Sequence, residues 1–283
     1  ALTWTTRSYG STGAREITYA NNHYLLTGDG GLLLTSPDAT TWTRRSTGTT
    51  NALRRAAYAN NTWVVIGNQD FPATLLTSTD SGATWTNRTA SITFDDLRSL
   101  ASDGTASIIG VGKNGTLVRS TNGTSWATVT SGTSDELQGA AYGAGKYVVS
   151  GANGRILTSS DGGVTWTPAS SGVSAYLGGL VYLNNVFLIS GELGLLLKST
   201  DGTTWTSSTV AGGNQLQGIA YGAGRYVAVA AGGRIITSLD ATTWTPATSG
   251  TTADLNGVAF GNGKFLATSA TSVFTSPDGL VWT

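Results

Sequence analysis

The residue pattern of this chain predicts an all-β fold, a seven-bladed β-propeller of four-stranded blades. Three observations carry that expectation. Ser159-Ser160-Asp161-Gly162-Gly163-Val164-Thr165-Trp166 recurs: Ser78 to Trp85 is a second full-length copy, and shorter or drifted copies close at Trp42, Trp126, Trp205, Trp244 and Trp282. The closing tryptophans stand 43, 41, 40, 39, 39 and 38 residues apart, the spacing of a repeat architecture. Each cycle holds four short apolar runs split by Gly, Asn and Asp turns. With 39 glycines, 11% charged residues and no helix-length amphipathic run, the composition is one of strands and turns.

The first cycle gives the element order. Ile17-Thr18-Tyr19-Ala20 is the first run, Asn21-Asn22 the turn, His23 to Gly28 the second run and Leu32 to Thr35 the third. Thr41-Trp42-Thr43 closes the unit. Ala140-Ala141-Tyr142, Tyr147 to Val149 and Ile156 to Thr158 repeat the order further along, as do Ile219-Ala220-Tyr221, Tyr226 to Val229 and Ile235 to Thr237. Near-continuous apolar runs belong to strands covered on both faces. A single four-stranded unit cannot cover both of its own faces, so neighbours must stack. An open stack would need atypical end repeats, and the chain shows none. A closed ring, spanning 1–283 as one domain, is the expectation. Residues 1–8 read as a partial extra repeat end: Trp4 and Trp282 compete to close the final blade, or one of them sits outside it, or the chain is a piece of a longer array.

Lys+Arg and Asp+Glu are both 16, so net charge offers no long-range attraction to nucleic acid or an anionic membrane. No apolar run approaches the roughly 18 residues of a spanning helix. The absence of Cys removes disulfides, Cys-zinc sites and thiol chemistry. The one histidine, His23, allows neither a His metal cluster nor a Ser-His-Asp triad, and no cofactor is expected. With no Met, Ala1 is expected to follow a removed leader or a cut.

The motif resembles the Asp-box, the bacterial neuraminidase repeat, over essentially the whole chain. Two copies fit Ser-x-Asp-x-Gly-x-Thr-Trp in full. Ser36/Asp38/Trp42, Ser199/Asp201/Trp205, Ser238/Asp240/Trp244 and Ser276/Asp278/Trp282 keep its Ser, Asp and Trp, and Ser120/Asn122/Trp126 replaces the acid by an amide. The resemblance implies that the box lies between the third and fourth strands, opposite the ligand face. It also implies a structural role for Asp38, Asp80, Asp161, Asp201, Asp240 and Asp278, each bonding turn amides. The cycle number resembles photosystem II assembly factor-type propellers. Tyr142-Gly143-Ala144-Gly145-Lys146-Tyr147-Val148 and its copy at 221–227 resemble repeat propellers of bacterial exported and phage tail proteins. An exported, extracellular bacterial or virion-associated location is the matching expectation.

Loops leading into the first strands and loops between second and third strands should share one face, around an axial funnel. The residue after the apolar position that opens each first strand is, in turn, Arg15, Arg54, Arg98, Gln138, Gly178, Gln217 and Asn256. Guanidinium groups donate paired hydrogen bonds to carboxylate, sulfate or phosphate. Arg15, Arg54, Arg98, Gln138, Gln217 and Asn256 are therefore the candidate ligand-binding residues. The competing reading pairs each arginine with Glu16, Asp95, Asp96, Asp135 or Glu136. Insertions at Gln69-Asp70-Phe71-Pro72 and Ile92-Thr93-Phe94-Asp95 add to blades one to three. The second-strand aromatics Tyr24, Trp63, Tyr147, Phe187 and Tyr226 suit either inter-blade core or a sugar platform.

The function expected is non-enzymatic recognition or docking of an anionic, glycan or protein partner at the funnel, with no catalytic or metal-ligating residue. One alternative is a sialidase-like glycoside hydrolase. Arg155-Ile156-Leu157 and Arg234-Ile235-Ile236 lack the sialidase proline, and Asp29 and Asp70 are its only carboxylate candidates. Tyr176 and Glu192 lie on candidate loops without forming a recognisable nucleophile pair. The other alternative is a structural module of a phage tail or bacterial surface assembly.

Overall fold

The computed structural model describes residues 7–8, 13–68, 73–89, 96–210 and 212–282. Trp4, the insertion at 69–72 with Asp70, and the 92–95 segment with Asp95 lie outside the described residues.

Alternating apolar side chains, broken every few residues by left-handed Asn or Gly turns, fold each repeat into an antiparallel sheet. The first sheet comprises Ala14–Ala20, His23–Gly28, Leu33–Ser36 and Thr43–Arg44, paired in chain order. Turns such as Asn21-Asn22 and Asn60-Asn61 hold φ between 47° and 56°, where a short amide side chain is better tolerated than a branched one. Five further sheets repeat that order, and the seventh is closed differently. Leu255–Gly261, Lys264–Ser269 and Ser272–Ser276 take Arg7–Ser8 as their fourth strand. Arg7 lies opposite Val273 and Ser8 opposite Ser272. Trp282 occupies the closing-tryptophan place of that blade, 4% exposed and 6.2 Å from the Phe265 ring.

Seven apolar clusters fill the seven spaces between neighbouring blades. The two-residue period of a strand explains how one run serves two of them. Val64 and Ile66 face the third blade with Leu97 and Ile108, whereas Trp63 and Val65 face the first blade with Leu25 and Leu33. Burial on both faces is thus divided between neighbours. The seventh blade meets the first through Ala259 and Leu266 against Ala14 and Ile17, which closes the ring.

The second-strand aromatics belong to this core. Tyr24, Trp63, Tyr147, Phe187 and Tyr226 are at most 2% exposed. The rings pack in series within a blade, as in the fourth: Tyr142 to Tyr147 at 4.8 Å, then Tyr147 to Trp166 at 6.4 Å; the third blade has Ile108 in place of the second-strand aromatic. That arrangement leaves no sugar platform on these residues.

At the corners between third and fourth strands, Ser78 Oγ donates to Asp80 Oδ1 at 2.7 Å. Asp80 Oδ1 accepts from the Thr84 amide at 2.9 Å, and Oδ2 from the Thr84 hydroxyl at 2.6 Å. Trp85 Nε1 donates to the Gly82 carbonyl at 3.1 Å. The shorter corners use the same geometry: Asp38 Oδ1 accepts from the amides of Thr40 and Thr41 at 2.7 and 2.8 Å. Asn122, without charge, accepts from Thr124 and Ser125 at 2.9 and 2.8 Å. The first-to-second turns lie on the same face as these corners, since Asn262 Nδ2 reaches the Pro37 carbonyl and Asn60 Nδ2 the Thr121 carbonyl.

Candidate functional site

On the opposite face, the turns between second and third strands are tied to the residues that precede each first strand. Asp29 N donates to the Gly13 carbonyl, Lys113 N to Asp96, Ala152 N to Glu136 and Glu192 N to Tyr176. These turns and the first-strand starts form the rim of the axial opening.

Each first strand carries a β-bulge at this rim. Ala14 faces Gly28 and Glu16 faces Thr27, so Arg15 is the extra residue. Arg54 lies between the paired residues Leu53 and Arg55, and Arg98 between Leu97 and Ser99. Gln138, Gln217 and Asn256 repeat the arrangement, and in the fifth blade Gly178 and Gly179 share the bulge. A bulge leaves one residue unpaired and re-aims its side chain. Here it turns the seven equivalent positions toward the funnel. In the second and third blades the residue opposite must be glycine, since a Cβ on Gly67 would lie 2.3 Å from the Ala52 carbonyl oxygen and one on Gly112 2.2 Å from that of Asp96, whereas the sixth and seventh blades hold Ala230 and Ser269 there.

All six candidate residues, Arg15, Arg54, Arg98, Gln138, Gln217 and Asn256, line one cavity of about 430 Å³. Below it the axial channel continues between the first strands, sharing Arg55, Gln138, Gln217 and Asn256. The three arginines are not equivalent. Arg15 Nε donates to Asp29 Oδ1. Arg98 Nε donates to Glu136 at 2.8 Å, and its Nη2 lies 3.2 Å from Asp96, which also holds Lys113 at 3.0 Å. Arg55 pairs with Glu16 at 3.0 Å, while Glu16 also accepts the Ala56 amide at 2.9 Å, linking the first blade to the second. The pairing reading therefore describes Arg15 and Arg98, with Asp29 as a partner that sequence reasoning had placed in another role. It fails for Arg54. Among the described residues Arg54 has no ion pair, and its Nε is buried without an acceptor. Burial, then the charges of Arg15 and Arg98, push its guanidinium below the ordinary value, with Asp96 opposing.

The remaining wall is neutral. Gly178 leaves a gap that Gln215 fills: a Cβ there would lie 2.3 Å from Gln215 Nε2. Tyr176 lines the same cavity. Burial, then the nearby Glu136, push its phenol up to about 12, with Arg98 opposing. Its backbone amide, rather than its hydroxyl, bonds Glu192 Oε1 at 3.2 Å. Tyr176, on a candidate loop in the sequence, is thus a lining residue, whereas Gln215 was missed because it precedes the aligned position. The empty place at Gly178 was the available signal.

Arg44 and Arg45 face a separate groove with Ser46 to Thr50, and Arg45 Nε bonds Thr35 Oγ1 at 2.8 Å. Arg155 is held by Asp135 at 2.7 Å. His23 starts the second strand of the first blade, with Nδ1 3.0 Å from the Asn21 carbonyl. Among the described residues there is no cluster of potential metal ligands, and no helix is long and apolar enough to cross a membrane.

No family model matches the chain, and no curated protein does. Solved structures do. YCF48 from Cyanidioschyzon merolae matches with a TM-score of 0.73 at 19% identity, covering 97% of this chain and 98% of that one. A YCF48 bound to D1 peptide matches with a TM-score of 0.73 at 15% identity, covering 96% and 94%. The chain is a seven-bladed β-propeller of that shape. The Niastella koreensis GH74 enzyme matches with a TM-score of 0.74 at 16% identity, over 99% of this chain and 55% of that one. A peptide-bound propeller and a glycoside hydrolase thus share the fold, and fold alone does not choose between their activities.

Proposed function

We propose that this propeller is a non-enzymatic recognition module that seats an anionic group of a glycan or protein partner in the funnel, against Arg54. The observation carrying this reading is the buried, acceptor-less Nε of Arg54 at the wall of a cavity ringed by bulge residues. An unsatisfied buried donor on a charged group is costly to keep. A bound carboxylate or sulfate would satisfy it with paired, charge-assisted hydrogen bonds. A similar fold solved bound to a peptide supports a protein partner, and the low charge and Thr/Ser/Gly-rich composition support an exported or virion-associated setting.

The hydrolase reading draws less support. Of its two carboxylates, Asp29 is engaged by Arg15, and Asp70 lies outside the described residues.

Calorimetric titration with sodium sulfate and with sodium D-glucuronate tests the proposal on the wild type, on Arg54→Gln and on Arg44→Gln, an exposed arginine away from the funnel. The expected result is binding of at least one anion by the wild type and by Arg44→Gln, and its loss in Arg54→Gln. Equal binding by all three proteins, or none by the wild type, overturns it.

A further inference from the structure

The ion pairs around Arg54 determine how much charge the funnel can accept. Five cationic groups stand together there: Arg15, Arg54, Arg55, Arg98 and Lys113. Four carboxylates stand among them: Asp29, Glu16, Asp96 and Glu136. Within these ion-paired networks the excess is one positive charge, and it belongs to Arg54; Glu192, on the Tyr176 amide at the other wall, stands outside them. Asp96 Oδ1 is itself buried without a donor, adding an unshielded acceptor to the cluster. A ligand with one negative charge neutralises the excess. A second negative charge would leave the cluster net negative in a partly dehydrated cavity, beside Asp29 in its wall, where repulsion is much stronger than in water.

The rest of the wall is built for hydrogen bonding without charge. Gln138, Gln215, Gln217 and Asn256 line the cavity beside Tyr176. Asn256 Nδ2 is engaged by the Ala14 carbonyl at 2.9 Å, which fixes the orientation of its amide. Carboxamides both donate and accept, so they complement hydroxyl groups or amides rather than a second anion.

Resting on the anion-seat reading above, we infer that the funnel selects a single carboxylate carried on a neutral, hydroxyl- or amide-bearing body, and discriminates against dianions. Arg54 holds the carboxylate, the amide wall holds the body, and the paired acids exclude further negative charge. The cavity, about 430 Å³, has room for a ligand of monosaccharide size or somewhat larger.

The test titrates the wild type with three probes at constant ionic strength: acetate, D-glucuronate and sulfate. Glucuronate is expected to bind at least about tenfold more tightly than acetate, because only it reaches the amide wall, and sulfate to bind more weakly than acetate. Asp29→Asn and Glu136→Gln each remove one paired carboxylate and raise the excess charge, so each is expected to shift the sulfate-to-acetate affinity ratio upward by about tenfold. Sulfate binding as tightly as acetate to the wild type overturns the charge selection while leaving the anion seat standing. Acetate equalling glucuronate overturns the role of the amide wall. An unchanged ratio in both charge variants overturns the proposed cause. Failure of all three probes to bind removes the anion seat and this inference together.

Discussion

Arg54 and Arg98 occupy the same bulge position on adjacent blades, yet only one is neutralised: Arg98 Nε meets Glu136 at 2.8 Å while Arg54 Nε is buried without an acceptor. The two should respond differently to truncation. Arg98→Ala leaves Glu136 without its ion-pair partner and Asp96 with Lys113 alone, and should cost about 1–3 kcal/mol. Arg54→Ala removes an unsatisfied cation and should be neutral or stabilising. Urea denaturation of the two variants checks this, and an Arg54→Ala penalty as large as that of Arg98→Ala would contradict the assignment.

The corners predict an acid limit to stability. Thr84 donates its hydroxyl and amide to Asp80 and holds that carboxyl down, from 3.8 to about 2. Asp38, Asp161, Asp201, Asp240 and Asp278 are lowered by comparable bonds from turn hydroxyls and amides. A depressed folded-state pKa means that the unfolded chain takes up protons first. The stabilisation is therefore full above the unfolded value and is lost as pH falls through the folded one. Glu16 works in the opposite sense, because burial raises its carboxyl, but it is one group against six. The urea midpoint should hold steady from about pH 7 to 5 and then fall steeply between about pH 4 and 2. Asp80→Asn, which leaves an amide acceptor as Asn122 already does, should flatten that fall.

Gly143 and Tyr182 define how closely the blades meet on the corner face. A Cβ on Gly143 would lie 2.1 Å from the Tyr182 ring. Gly143→Ala should destabilise by about 1–3 kcal/mol through overpacking. Gly222 and Phe260 stand in the same relation, so Gly222→Ala should match it, which chemical denaturation of both variants would show.

Arg7–Ser8 complete the last blade as its fourth strand, beside the packing of Ala259 and Leu266 on Ala14 and Ile17 that joins the first and last blades. Deleting residues 1–8 should unpair one edge of Ser272–Ser276 and loosen the last blade. The expected outcome is a lower thermal midpoint and concentration-dependent association, because an unpaired strand edge is a template for intermolecular pairing. A midpoint and sedimentation profile identical to the full chain would show that the strand is dispensable.

The ring was legible because its determinants are local and repeated: a left-handed turn, a two-residue apolar period and a Ser-x-Asp corner recur about every 40 residues. Alignment of the repeats also located the seven funnel positions, although nothing in the residue types revealed that a bulge aims them there. The pairing pattern was not legible. Asp29 reads as a turn-former in Gly-Asp-Gly-Gly, and only the tie between its turn and Gly13 brings it to Arg15. Likewise, Glu136 of the fourth blade reaches Arg98 of the third because adjacent blades converge at the axis. Which arginine is left over depends on such cross-blade distances. Gln215 escaped for a related reason: it matters through the space that Gly178 leaves on a neighbouring blade.

The central claim, that Arg54 is the seat for an anion, is tested most directly by following its own Nε–Hε resonance in ¹⁵N-labelled protein as sodium D-glucuronate is added, with Arg54→Gln supplying the assignment. The account predicts a saturable downfield shift of that resonance, with those of Arg44 and Arg155 unmoved. A resonance of Arg54 that stays in place at glucuronate saturation, or shifts no more than theirs, would contradict it.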